Sequence, residues 1–78
     1  MPVNFSDHAR KKLKSRGISQ KRATETVNNP DEIVSSFKSR RLRQKTFGDK
    51  ILRVITITEG SRITIVTGYY VRRKEYEN

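Results

Sequence analysis

The sequence predicts an α+β fold, two N-terminal helices packed on a three- or four-stranded antiparallel sheet, and three observations predict it. Ser6 and Ser19 are good helix starts, with Gly17 between them as a stop. From Ile33 onward the chain is rich in β-branched and aromatic residues, which suit strands. The connections between those runs are short, and short connections join antiparallel neighbours as a hairpin meander. With 78 residues and no cysteine there is room for one core and no disulfide to staple it. Residues 1–78 are therefore read as a single domain.

The first helix is expected from Ser6, with Asp7 in the first turn where the helix dipole favours an acid, to Gly17. Phe5, Ala9 and Leu13 recur at every fourth position and make a narrow apolar stripe. Arg16 falls near the centre of that stripe, so it should point to the sheet side, and His8 and Lys12 run along one edge. The second helix is expected from Ser19, with Ile18 able to staple onto Ala23, and should end before Asn28, Asn29 and Pro30. Ala23 and Val27 are its core contacts. Both helices are too short to stand alone and must dock on the sheet.

Strands are expected at Ile33–Phe37, Arg41–Phe47, Ile51–Thr58 and Arg62–Tyr70, the last three separated by Gly48-Asp49 and by Glu59-Gly60-Ser61. Three-residue hairpin loops are preferred because they set isoleucine opposite isoleucine, Ile57 with Ile63 and Ile55 with Ile65. That register also sets Lys45, Arg53 and Thr67 in one polar row. Two-residue loops would split the row.

Eighteen Lys and Arg against eight Asp and Glu give a net charge of +10, a field that recruits phosphates. Solubility alone is the competing explanation, but acidic residues serve solubility better. The positive charge falls in three clusters, Arg10–Arg22, Lys38–Arg53 and Arg72–Lys74, with apolar residues interleaved. No apolar leader precedes the first basic segment, and no run approaches the roughly 18 residues of a membrane span. The expectation is a cytoplasmic chain with no membrane partner.

One histidine and no cysteine argue against a metal centre, and the four glycines are isolated, which argues against a phosphate loop; no cofactor is expected. What remains is Arg, Lys, Tyr, Thr and His. Those side chains can cleave RNA without a metal, because the 2′-hydroxyl is an internal nucleophile that needs only alignment, proton transfer and charge stabilisation. His8 is the natural acid or base, although it can equally serve as a local packing residue at a helix start. Lys12, Arg43, Lys45, Arg72 and Lys74 are candidate RNA contacts. Tyr69, Tyr70 and Tyr76 can stack on bases or belong to the core.

Several short stretches together resemble the RelE/BrnT-type toxin group and, more nearly, a family of RelE-like domains of the DUF4258 type. They are His8-Ala9-Arg10, Arg16-Gly17-Ile18-Ser19, Asn29-Pro30, Ile51-Leu52-Arg53-Val54, Thr67-Gly68-Tyr69 and Lys74-Glu75-Tyr76. The tail Arg72-Arg73-Lys74-Glu75-Tyr76-Glu77 is similar to the basic ending of BrnT-like chains, although paired arginines depart from the small polar residues expected after the strand. The resemblance implies a compact ribonuclease-like fold, a toxin that cleaves RNA, in some cases on the ribosome, and a small acidic antitoxin partner. It carries a catalytic site onto His8, Arg16, Arg53, Thr67 and Tyr76, with Lys45 and Lys74 on phosphates. Fold-level analogy does not establish activity, so a non-catalytic RNA- or DNA-binding module stands as the alternative.

Overall fold

A computed structural model describes residues 3–35 and 39–73. The chain runs β1 (Val3–Phe5), α1 (Asp7–Ser15), α2 (Gln20–Asn28), β2 (Glu32–Ser35), β3 (Arg40–Phe47), β4 (Lys50–Glu59) and β5 (Arg62–Arg72). The fold is α+β with two helices, and the five strands form one sheet in the order β1-β5-β4-β3-β2.

Both helices start where their caps place them. The Ser6 hydroxyl accepts from the Ala9 amide at 3.0 Å and the Ser19 hydroxyl from the Arg22 amide at 3.1 Å, each satisfying an orphan donor of the first turn. The end of α1 is a Schellman motif. Gly17 has φ +68°, its amide donates to the Lys14 carbonyl at 3.2 Å, and the Ile18 amide donates to the Leu13 carbonyl at 2.9 Å. Ile18 and Ala23, the two ends of the expected staple, are both buried in the core.

Two corrections concern the sheet. It has five strands and is mixed, because β1 pairs with β5 in parallel, Val3 with Ile63 and Phe5 with Ile65. Three residues carry too little pattern to announce a strand, and β1 exists only because the edge of β5 offers it a ladder. Phe5 thus belongs to a strand and not to the α1 stripe. The second correction concerns register. Phe47 pairs with Lys50 and Glu59 with Arg62, so both hairpins turn on two residues. Gly48 and Gly60, at φ +66° and +61°, supply the left-handed conformation that such turns demand. Arg53 consequently lies opposite Gln44 and Lys45 opposite Leu52, a bulge in β5 sets Tyr69 on the other side of Arg53, and the expected row of Lys45, Arg53 and Thr67 does not form. The strand expected at Ile33–Phe37 spans Glu32–Ser35, with Ser36 and Phe37 outside the described residues.

Alternation along the strands gives the sheet a helix face and an open face. Leu52, Val54, Ile63 and Ile65 join Ala9, Leu13, Ile18, Ala23 and Val27 in the core beneath the helices. A bulge in β5 resets this alternation. The register jumps from Ile55↔Thr67 to Thr56↔Ile65, leaving Val66 as the extra residue. Beyond it Gly68 and Tyr70 lie on the helix face, while Thr67 and Tyr69 lie on the open face.

Candidate nucleic-acid interface

The second half of β5 organises the basic side chains. Its outer edge is unpaired by β1, which reaches only Ile65 before the chain turns into α1. Arg16, the C-cap residue of α1, fills part of that gap: its Nη1 donates to the Gly68 carbonyl at 2.8 Å and approaches the Thr67 hydroxyl at 3.5 Å. Arg16 is exposed, and it reaches the edge of the sheet by running past the helix end.

On the open face the Arg53 guanidinium stands 5.8 Å from the centre of the Tyr69 ring, directly opposite on the ladder. Thr67 is the diagonal neighbour of Arg53, two residues before Tyr69. The bulge therefore sets Thr67 and Tyr69 on the open face beside Arg53 of β4, next to the strand edge that Arg16 caps.

The helix face of the same strand end carries a second group. Arg22, from the first turn of α2, donates to the Tyr70 hydroxyl at 3.0 Å and lies 4.8 Å over the Phe47 ring. Lys50 stands 5.5 Å from the Tyr70 ring. Lys50 also pairs across the ladder with Arg72, a like-charge juxtaposition that costs energy unless an anion relieves it. Residue pattern alone does not single out Arg22, Lys50 or Phe47. The two-residue turn at Gly48-Asp49 is the signal that would have found Lys50 opposite Phe47, whereas its pairing with Arg72 depends on the β4–β5 turn and on the bulge.

Other expected contacts belong to the framework. Arg43 lies beneath the end of α2, its Nη1 donating to the Val27 carbonyl at 3.2 Å and its Nε to the Thr56 hydroxyl at 3.3 Å. Burial, and then the neighbouring Arg41, pull its guanidinium below the usual value, but a guanidinium stays charged. Lys45 donates to the Asn29 carbonyl at 2.9 Å and pairs with Asp31 at 3.8 Å. Both cations thus satisfy carbonyls that α2 leaves open at its end. Lys45 is turned to this junction and does not stand beside Arg53.

Asp31 completes that junction by accepting from the Thr46 amide at 2.8 Å. This backbone bond holds its carboxyl below the usual 3.8 against desolvation, which raises it, and Lys45 adds a lesser lowering effect. A depressed folded pKa means a contribution present at neutral pH and lost as pH falls through the folded value. An NMR titration should place the Asp31 transition below 3.8, and Lys45→Ala should move it upward.

His8 and Lys12 are exposed on α1. His8 precedes Arg16 by two turns, about 12 Å along the helix axis. The structure does not bring it to the Arg16–Thr67 contact. Arg72 is exposed at the end of β5, and Lys74 and Tyr76 lie outside the described residues. Among the described residues no group of three or more His, Cys, Asp or Glu could hold a metal ion, and no helix is long and apolar enough to cross a membrane.

No curated protein and no solved structure matches the chain. A family model described as a domain of unknown function, DUF4258, matches residues 5–70, from the end of β1 to the tyrosine at the centre of the helix-face group. The chain belongs to the DUF4258 family.

Proposed function

We propose that this domain engages single-stranded RNA at the end of the sheet formed by β5, and that it cleaves its RNA without a metal ion as the toxin half of a toxin–antitoxin pair of the RelE/BrnT kind. One observation carries the reading: tyrosines on both faces of one strand end each have a cation at the ring, Arg53 at Tyr69 and Lys50 at Tyr70, with Arg22 on the Tyr70 hydroxyl. Aromatic rings within a basic surface take the face of a base while the cations take the backbone, without regard to sequence. The like-charged Lys50–Arg72 pair adds a place where a phosphate lowers the energy of the protein itself.

Cleavage is the reaction this arrangement can serve. The 2′-hydroxyl attacks the adjacent phosphorus, its proton leaves to a base, and the 5′-oxygen departs with a proton, giving a cyclic phosphate and a free 5′-hydroxyl. Arg16 and Arg53 are the groups that would stabilise the added charge, with Thr67 aligning the phosphate. Of the two candidate proton carriers, His8 and Tyr76, Tyr76 is preferred, because His8 lies about two turns from Arg16 along α1. The separation of His8 from Arg16 favours a second reading, a non-catalytic RNA- or DNA-binding module on the same surface. An acidic antitoxin would silence either form by covering the cations.

Two measurements test the proposal. Contacts to about five phosphates, through Arg16, Arg22, Lys50, Arg53 and Arg72, should give a log-log salt slope near −3.5 at roughly 0.7 per contact. A flat salt response would remove the RNA reading. Incubation of the protein with purified RNA in EDTA, and separately with translating ribosomes, should yield new 5′-hydroxyl ends. Salt-sensitive binding with intact RNA in both arms would leave the binding module.

A further inference from the structure

We propose that the hollow between the end of α2 and the start of β5 is a base-binding subsite that takes one unpaired nucleobase, guanine in preference to the others, of the RNA; its place on RNA rests on the proposed function above. The hollow is lined by Val27, Asn28, Asn29, Arg43 and Ile63 and has a volume of about 500 Å³. That is within the usual range for a small-ligand site, roughly 300–1,000 Å³.

Its chemistry selects a planar, neutral ligand with acceptors on one edge. Val27 and Ile63, 2% and 8% exposed, form an apolar floor on which a ring face can lie. Arg43 is held from two sides, Nη1 on the Val27 carbonyl and Nε on the Thr56 hydroxyl, and these bonds leave Nη2 with no partner among the described residues. A guanidinium fixed in this way presents donors only. Asn28 and Asn29, both exposed at the rim, add amides that can donate or accept. A free phosphate fits poorly, because the last carbonyls of α2 make this end of the helix negative and Asp31 lies beyond Asn29. A base fits, since arginine and asparagine are the side chains that read purine edges. Guanine offers N7 and O6, two acceptors side by side, to a donor-only group, whereas adenine offers one acceptor and one donor.

Ile63 and Tyr70 are separated along β5 by roughly 20 Å at the usual strand rise. No mononucleoside can touch both regions, so the two can be probed separately. The probes are guanosine, adenosine, cytidine and uridine, which carry no phosphate, titrated into the full chain and followed by NMR at the Asn28 and Asn29 side-chain amides. Guanosine should shift both amides and bind about tenfold or more tightly than cytidine or uridine, the discrimination expected of a good edge contact. Asn28→Ala, at an exposed position outside the core, should weaken guanosine binding severalfold and leave the salt slope for RNA unchanged. Arg43→Lys, checked by thermal melting, should abolish the preference for guanosine while the protein remains folded. Equal binding of all four nucleosides, or guanosine shifts that avoid Asn28 and Asn29, would overturn the subsite whether or not RNA binds. Guanosine binding at these amides in a protein with no affinity for RNA would uphold the subsite and remove the RNA reading instead.

Discussion

Leu13→Ala should lower the unfolding free energy by about 2–5 kcal/mol, the range for truncating a buried leucine. A domain of this length has a total stability of about 4–12 kcal/mol at the usual 0.05–0.15 kcal/mol per residue, so the variant should lose a large share of it and melt well below the wild type. Leu13 is 1% exposed and takes part in three separate features. Its carbonyl closes the Schellman motif, its side chain belongs to the core, and its Cδ2 occupies the space over Gly68. A Cβ placed on Gly68 would lie 2.9 Å from that Cδ2, so the absence of a side chain there is what lets α1 sit on β5. Gly68→Ala alone should therefore cost about 1–3 kcal/mol by overpacking. Combined with Leu13→Ala the added methyl enters the vacated space, and the double variant should be more stable than the sum of the single losses allows. Denaturant melts of the four proteins measure the coupling. Strict additivity would mean that Leu13 and Gly68 do not meet as the structure has them.

The helices were legible in the sequence because their punctuation is chemical and local. Ser6, Gly17 and Ser19 each act through a hydrogen bond or a backbone conformation reached within a few residues. The strands were legible as β-branched runs, but their register was not. Matching isoleucines favoured three-residue loops, whereas the left-handed glycines at Gly48 and Gly60 select two-residue turns. Turn geometry prevailed because it is fixed by the backbone, while the isoleucines find apolar neighbours in either register. That one-residue difference moved Arg53 from Lys45 to Gln44 across the β3–β4 ladder, and on the β5 side the bulge then moved it one residue further, from Gly68 to Tyr69. The bulge at Val66 had no signal at all. Yet it turns Tyr69 to the open face and Gly68 towards α1, so the composition of the candidate site rests on it. Arg16 shows what periodicity can and cannot do. Its helical angle correctly aims it at the sheet, but its partner, the Gly68 carbonyl, is a backbone group at an unpaired strand edge. No residue pattern announces such a group.

Arg16→Ala should reduce single-turnover RNA cleavage by about 10² to 10³, the loss expected when one preorganised donor to a developing charge is removed. The same change should affect the fold much less. Arg16 is exposed, and its bond to the Gly68 carbonyl is of a kind worth about 0.5–1.5 kcal/mol net, part of which water restores at an open edge. Arg16→Lys should fall between the two proteins, since it keeps the charge but loses the planar fork that can hold a carbonyl with one nitrogen and a phosphate oxygen with another. His8→Ala should stay within a few-fold of wild type, because His8 lies about two turns away from the Arg16–Thr67 contact along an exposed helix. The measurement is cleavage of a single-stranded RNA across pH 5 to 9 for the four proteins, with RNA affinity and melting curves on the same samples. A loss confined to the cleavage rate in Arg16→Ala, at near-normal affinity, assigns the guanidinium to charge stabilisation. The reverse ranking, with His8→Ala inactive by 10² to 10⁴ and Arg16→Ala active, is the pattern of a general acid or base and would move the chemistry from the edge of β5 to the outer face of α1.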